Sequence, residues 1–346
     1  MTEDSLQAIT TEEALADKLS EPYPEDVDFA GELEGDVMVL GAAGKMGPTL
    51  IRRIMRASDR AGVDRTVYAV SRYSNPADKS RLDSWGAETI QADLLEPDAL
   101  ESLPDCQNVI YMVGMKFGAS GREPQTWAIN SYLPGEVARR FSESRIIGFS
   151  TGNVYPLVSP ESEGCTESDP TGPVGEYAQS CLGRERIFQY FSDRNDTPTC
   201  LFRLNYAVEA RYGVLADIAK WVYNGEPVPL ANGYVNVIWQ GDANSVCFRS
   251  LELADSPAEI LNVTGPETLS VRSLAERFAE RFETDVTFEG EEQDTALLND
   301  ASRCHELYGE PKFSVEEVIE LVASWIEAGN PMMDKPTKFH VRSGDF

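Results

Sequence analysis

Short apolar runs alternate with amphipathic segments from Asp36 to Leu204. A run at 36–40 is followed by Pro48–Arg56, in which apolar residues recur at helical spacing. Strands that alternate with helices in this way form βαβ units, whose strands lie parallel in one sheet. We therefore predict an α/β fold, with further strands at 66–70, 89–93, 108–113, 145–150 and 199–204.

The pattern changes near Asn205, where shorter elements rich in Gly and Pro begin, and helices are predicted later at 271–282 and 315–327. Ligands of open α/β sheets bind at the carboxyl ends of the strands, so we expect the second half of the chain to form a smaller, interleaved lobe over those ends. The expected divisions are an acidic N-terminal extension at 1–34, a sheet domain at 35–204 completed by parts of 235–264, and a substrate-binding lobe with a C-terminal tail at 205–346.

Three glycines follow the first strand and lead directly into the first helix. Gly41 permits a tight turn, Gly44 lets backbone amides approach a pyrophosphate, and Gly47 lets the helix pack closely against the strand. Lys45 and Met46 lie in the same turn, at the helix N-terminus that faces the anion. The pattern predicts NAD or NADP binding on a Rossmann-type doubly wound parallel sheet. An ordinary tight turn is the structural alternative.

The second strand ends in Ser71-Arg72, where NAD-specific folds usually place an acid that binds the ribose 2′-hydroxyl. A guanidinium binds a 2′-phosphate in bidentate fashion, and Lys45 is available to assist it. These residues modestly favour NADP over NAD, although Arg72 as a solvated loop charge is the other interpretation.

Composition restricts the class of partner. With 58 acidic and 30 basic residues the formal net charge is −28, which argues against nucleic-acid and anionic-membrane partners. The six cysteines form no CxxC pair and no secretory segment is present, so we expect reduced thiols and a cytoplasmic protein. His305 and His340 are the only histidines, and no metal site is expected.

Several motifs together resemble the extended short-chain dehydrogenase/reductases, the NAD-dependent epimerase/dehydratase family. The resemblance covers roughly Asp36 to Trp325, and no single motif would suffice for it. The segments that carry it occur in order: Asp93-Leu94, Gly114–Lys116, Asn130, Phe149–Tyr155, Gly175–Ser180, Arg203–Asn205, Trp239–Asp242 and Leu261–Ser270.

The resemblance implies a role for each matching residue. Thr151 would orient the substrate oxygen, Tyr177 would be the acid/base beside the nicotinamide, and Lys116 would be a cation beside the cofactor. The structural alternatives are a turn cap, an interfacial aromatic and a solvated loop charge, respectively. The remaining implied positions are Asp93 and Leu94 near the adenine, Asn130 in support of the site, and Asn205, Trp239 and Gln240 as walls on the substrate side. A homodimer through the helices after Asn130 and around Tyr177 is also implied.

One departure from the family pattern is sharp. The family has a Lys four residues after the Tyr, and this chain has Cys181. Without that cation, a Tyr with its ordinary pKa of about 10 stays protonated at neutral pH, so proton abstraction suffers more than proton donation. Lys116 and Arg184 are the candidate replacements, and we interpret Arg184 as a helix-surface charge.

Two further absences narrow the reaction. Gly152-Asn153 stands where sugar-nucleotide dehydratases carry an acidic pair, which disfavours dehydration. No Arg stands near Val235 to bind a diphosphate, and whether Arg211 substitutes is open, so uncharged sugars are expected to bind better than nucleotide sugars. We expect an NAD(P)-dependent oxidoreductase or epimerase that acts on a hydroxyl or carbonyl carbon of a sugar-like substrate. The alternatives are a non-catalytic NAD(P)-binding sensor and, least favoured, a scaffold without cofactor.

Overall fold

The computed structural model describes residues 6–116, 121–333 and 335–345. Short apolar runs form the strands, and the buried pattern of the first strand, Val37–Leu40, shows that both of its faces are covered. The strands are β1 Val37–Leu40, β2 Val67–Ser71, β3 Glu88–Gln91, β4 Asn108–Tyr111, β5 Arg145–Thr151, β6 Thr199–Leu204, β7 Ala207–Val208, β8 Val228–Pro229, β9 Tyr234–Val235, β10 Ile238–Trp239, β11 Glu259–Val263, β12 Leu269–Ser270 and β13 Phe288–Glu289.

Helices separate these strands and cover the sheet on both faces. The helices are α1 Glu12–Leu19, α2 Pro24–Glu32, α3 Gly47–Ala61, α4 Pro76–Trp85, α5 Glu123–Trp127, α6 Leu133–Arg140, α7 Gly175–Asn195, α8 Val214–Tyr223, α9 Gln240–Arg249, α10 Val271–Arg281, α11 Ser302–Tyr308 and α12 Val315–Glu327. A π-helical turn, Ala128–Tyr132, joins α5 to α6.

The central sheet has seven parallel strands in the order β11-β6-β5-β4-β1-β2-β3. Chain order reverses at β1, which pairs with β2 on one side and with β4 on the other. The carboxyl ends of β1 and β4 therefore flank the crevice in which open α/β sheets bind their ligands. The predicted fold class, a Rossmann-type doubly wound parallel sheet, is confirmed.

Apolar periodicity located the main elements well. The helix predicted at 315–327 has those bounds, and the one predicted at 271–282 ends one residue earlier. Helix α3, predicted at 48–56, extends further, to Ala61. The next residue, Gly62, adopts a left-handed conformation and ends the helix.

Three segments pack around the sheet domain. Helices α1 and α2 of the N-terminal extension contact α3, where the buried guanidinium of Arg53 lies 2.5 Å from the carboxylate of Asp26. Helices α8, α10 and α12 form the core of the lobe. The C-terminal tail, residues 335–345, crosses this lobe and adds the buried side chain of Phe339 to its core.

Within the described residues, no helix combines the length and apolar character needed to cross a membrane. The same part of the chain contains no cluster of three or more His, Cys, Asp or Glu side chains suited to hold a metal ion. All six cysteines are buried as free thiols.

Candidate active site

The glycine turn depends on the absence of a side chain at two of its positions. Gly41 has a φ of 94°, and a Cβ there would lie 3.0 Å from the Met112 carbonyl carbon at the end of β4. A Cβ on Gly47 would lie 2.3 Å from the Ala42 carbonyl oxygen, so only glycine permits this helix to pack so closely. Met46 precedes the helix and its side chain caps no backbone amide, which leaves the N-terminus of α3 suited to an anion.

The residues predicted to bind the adenosine half lie at the ends of neighbouring strands. Ser71 is the last residue of β2, and the exposed Arg72 follows it, with its guanidinium 4.0 Å from the Asp93 carboxylate. Asp93 accepts a hydrogen bond from the Leu95 amide, which holds the loop after β3. Leu94 is buried in the core beside the sheet. Arg72 and Asp93 are therefore adjacent and exposed, and Leu94 supports the loop from below.

Tyr177 and Thr151 meet where β5 ends and α7 begins. The phenol of Tyr177 is hydrogen bonded to the hydroxyl of Thr151 and to the thiol of Cys181. Thr151 Oγ1 also accepts bonds from the backbone and side-chain nitrogens of Asn153, at 3.2 and 3.0 Å. With its acceptor positions occupied, the Thr151 hydroxyl is left to donate to the Tyr177 oxygen.

The environment holds Tyr177 in its neutral form. Burial, reinforced by the Cys181 thiol, raises the pKa of Tyr177 well above its ordinary value. The Arg184 guanidinium and the Thr151 hydroxyl lower this pKa without reversing the shift. Burial likewise raises the pKa of the Cys181 thiol, so both groups carry their protons at neutral pH.

Arg184 is buried, and its interpretation as a surface charge is wrong. Its guanidinium donates to the Phe149 carbonyl at 2.7 Å, to the Asn130 carbonyl at 3.2 Å and to Asn130 Oδ1 at 2.9 Å. Arg184 lies seven positions after Tyr177, which places both on one helix face. Hydrogen bonds to neighbouring elements compensate for the burial of this charge.

Asn130, in the π-helical turn, joins the loop that carries Lys116 to helix α7. Its side chain accepts from the Met115 amide at 2.8 Å and donates to the Met115 carbonyl at 3.0 Å. It also donates to Ser180 Oγ at 2.9 Å. A π-helical turn at a functional site is a recurring arrangement, and here it turns one amide toward two elements at once.

Two lysines enter the site from opposite loops. Lys116 Nζ lies 5.8 Å from the centre of the Tyr177 ring, and burial lowers the pKa of Lys116 to about 8. Lys45 Nζ lies 2.9 Å from the centre of the Tyr212 ring, and burial, with the nearby Lys116 charge, lowers the pKa of Lys45 to about 7. An anion bound between the loops would stabilise the protonated form of both lysines.

A buried ion pair supports the floor of the site. The Arg203 guanidinium on β6 donates to the Glu185 carboxylate on α7 at 2.9 and 2.7 Å. Glu185 also accepts from Ser150 Oγ, the residue before Thr151. Arg203 continues the network to the hydroxyl of Tyr155. Bidentate bonds between charged groups are strong and directional, so they fix α7 against β5 and β6.

Two predicted substrate walls lie elsewhere. Trp239 is buried in the lobe core against Phe313, and Gln240 is buried with its amide 3.2 Å from Thr49 Oγ1. Both are therefore structural, and their assignment as walls is wrong. Asn205 is buried against Gly152 and donates to the Asn236 side chain at 2.8 Å. It therefore supports the residues beside the site.

A cleft lies between the lobe and the start of α7, and much of its volume is open to solvent. Sequence reasoning missed its polar walls, because Asn232 and Arg342 belong to no recognisable motif. Its lining includes Asn153, Tyr155, Tyr206, Asn232, Phe339 and Arg342. Since Asn153 also binds Thr151, the cleft opens beside the Tyr177–Thr151 pair.

Arg211 does not face this cleft as a diphosphate-binding cation. Its guanidinium lies 3.2 Å from the buried Glu209 carboxylate and 2.9 Å from that of Glu12 in the N-terminal extension. This pairing neutralises the Arg211 charge within the protein. Arg211 therefore does not substitute for the diphosphate-binding arginine that is missing near Val235. Sequence spacing alone does not show that these two carboxylates lie beside it.

The sequence profile of the NAD dependent epimerase/dehydratase family matches residues 37–234, more than half of the chain. The chain belongs to this family. The predicted family membership, and with it the prediction of an enzyme, is confirmed. No curated protein has a matching sequence.

Solved structures of similar fold include several enzymes of this kind. UDP-glucuronic acid 4-epimerase from Bacillus cereus, in complex with UDP-glucuronic acid and NAD, superposes with a TM-score of 0.71 at 17% identity, covering 84% of this chain and 99% of that one. The structure of dTDP-glucose 4,6-dehydratase from Bacillus anthracis, in complex with NAD, superposes with a TM-score of 0.71 at 15% identity, covering 85% of this chain and 97% of that one. UDP-glucose 4-epimerase from Thermotoga maritima superposes with a TM-score of 0.71 at 16% identity, covering 85% of this chain and 99% of that one. At these identities the likeness shows the fold.

Proposed function

We propose that this protein is an NAD(P)-dependent oxidoreductase or epimerase that acts on a hydroxyl or carbonyl carbon of a sugar-like substrate. The observation that carries the proposal is the Tyr177–Thr151 pair, which is joined through Asn153 to a cleft with polar walls. The similar solved structures hold NAD and UDP-glucuronic acid, or UDP-glucose. Their ligands support a nicotinamide cofactor and a sugar substrate for the present site.

A bound nicotinamide cofactor would supply or accept the hydride. Tyr177 would donate its proton to the substrate oxygen as a carbonyl is reduced, because its raised pKa keeps the phenol protonated. Thr151 donates to the Tyr177 oxygen and would stabilise the phenolate that remains. Lys116, close to the Tyr177 ring, would favour that phenolate electrostatically while it carries its charge. The arrangement favours reduction over oxidation.

Replacing Tyr177 with Phe tests this role directly. We expect Tyr177→Phe to lower turnover by roughly 10²–10⁴ fold, the usual contribution of a positioned acid or base, while NADH still binds. Lys116→Met should also lose activity. Tyr223→Phe is the matched control, because Tyr223 lies on α8, outside the site, and is 49% exposed. Activity is measured by consumption of NADPH and, separately, of NADH with a panel of keto sugars.

Normal turnover by Tyr177→Phe would contradict the acid role. If the wild-type protein binds NADH but transfers no hydride across the panel, the non-catalytic sensor becomes the better account. Cys181 in place of the family's Lys is the observation that motivates this second candidate function.

We further propose a preference for NADP over NAD. Ser71 and Arg72 stand at the carboxyl end of β2, and the Arg72 side chain is 62% exposed and adjacent to the loop after β3. A guanidinium there suits a 2′-phosphate, whereas the ribose hydroxyl of NAD favours an acid at this strand end.

NADPH should bind more tightly than NADH by at least about tenfold, since charge-assisted hydrogen bonds contribute about 1.5–3 kcal/mol. Arg72→Ala should remove this preference and leave NADH affinity unchanged. Arg81→Ala, an exposed arginine on α4, is the matched control. Fluorescence titration measures each affinity. Equal binding of both cofactors by the wild-type protein would refute the 2′-phosphate assignment.

We also propose a homodimer formed through α5, the π-helical turn and α7. Trp127, Tyr132 and Tyr190 present exposed aromatic surface on these elements. Aromatic residues are enriched in protein interfaces. The double variant Tyr132→Asp/Tyr190→Asp should sediment as a monomer, whereas Tyr223→Asp on α8, also exposed, should not change the mass. A wild-type monomer throughout the micromolar range would contradict the proposal.

A further inference from the structure

The C-terminal tail forms a wall of the cleft and is held there at three points. Thr337 donates from its amide and hydroxyl to the Asp217 carboxylate at 2.8 and 2.6 Å. Phe339 is buried with its ring centre 5.9 Å from that of Trp221. Gly344 lies against Gly175 at the start of α7, where a Cβ on Gly175 would be 2.7 Å from the Gly344 Cα. Arg342 lies between Phe339 and Gly344 in the chain, so these two contacts hold it at the cleft.

Arg342 differs in its partners from three other arginines of the lobe. Arg211, Arg272 and Arg281 each form an ion pair with a glutamate. Within the described part of the chain, the acceptors of Arg342 are uncharged: the Ala231 carbonyl at 3.3 Å, the Thr295 carbonyl, and Thr295 Oγ1 at 2.6 Å. These bonds orient the guanidinium without neutralising it, in a chain of net charge −28.

Asn232 supplies an independent indication of a ligand. It follows Ala231, lines the same cleft and is 2% exposed, yet neither its Nδ2 nor its Oδ1 has a hydrogen-bond partner among the described residues. A buried amide without partners is costly, by about 1–3 kcal/mol for each unsatisfied group. Native structures therefore rarely retain one without a reason. A sugar hydroxyl, which both donates and accepts, would satisfy either atom.

We propose that Arg342 and Asn232 form a substrate subsite in which the tail guanidinium binds an anionic group on the sugar, a carboxylate or a phosphate, and Asn232 binds an adjacent hydroxyl. The inference rests on the proposed function, since it names the substrate class of the same cleft. A guanidinium binds either anion in a planar, bidentate geometry. The sequence alone predicts an uncharged sugar, because no Arg stands near Val235. Since Arg342 of the tail supplies a cation at the cleft, we now expect an anionic sugar.

Calorimetry with NAD-loaded protein tests the subsite. The probes are glucose, glucuronate, glucose 1-phosphate and UDP-glucose, which separate a neutral sugar from a carboxylate, a phosphate and a diphosphate ester. We expect at least one anionic probe to bind tenfold or more tightly than glucose. Arg342→Gln should weaken that probe at least tenfold and leave glucose within twofold. Arg342→Lys, which retains the charge, should recover part of the loss.

Arg281→Gln is the matched control, since Arg281 pairs with Glu320 and Glu327 away from the cleft. The proposal is overturned if every anionic probe binds no better than glucose, or if Arg342→Gln and Arg281→Gln have the same effect. NADH titration and thermal melting of Arg342→Gln check that the fold and the cofactor site are intact. A wild-type protein that binds no nicotinamide cofactor refutes the proposed function instead, and the effect of Arg342 on the probes is then measured without cofactor.

Discussion

The buried guanidinium of Arg184 is the constraint on which the candidate active site depends. It joins α7, which carries Tyr177, to the carbonyl of Phe149 on β5, two residues before Thr151. It also binds both the carbonyl and the side chain of Asn130, and so fixes the π-helical turn and the loop that leads to Lys116. A buried charge is tolerated only when its hydrogen bonds are made, so these elements keep one relative position. The Tyr177–Thr151 contact follows from that position.

This arrangement also sets the protonation state of Tyr177 in the absence of the family's usual Lys. At position 181 a neutral thiol accepts the phenol hydrogen bond, and the buried Arg184 lies one turn further along the helix. The cation is directed toward backbone carbonyls, so it offsets only part of the burial that raises the pKa of Tyr177. Tyr177 therefore keeps its proton at neutral pH. Lys116, whose own pKa is lowered to about 8, places a further positive charge 5.8 Å from the centre of the Tyr177 ring.

Apolar periodicity and the glycine spacing were enough to predict the parallel sheet and the nucleotide turn, because both depend on local pattern. Burial of charged residues was not predictable in this way. Arg184 lies in a run of charged residues that is typical of an exposed helix surface. Its burial depends on the carbonyls of Phe149 and Asn130, which are remote in sequence. Trp239 and Gln240 matched a family motif but face the lobe core and α3. Arg342 follows the last predicted helix, and its position in the cleft depends on the packing of Phe339 and Gly344.

The central claim is that Tyr177 is a neutral acid rather than a phenolate. It is tested most directly by nuclear magnetic resonance of protein labelled with ¹³C at the tyrosine ζ carbon, with Tyr177→Phe used to assign the signal. Because burial raises the pKa of Tyr177 above its ordinary value, this account predicts a protonated signal that does not shift between pH 6 and about 10. A deprotonation midpoint near about pH 7, the behaviour of an activated catalytic base, would contradict it.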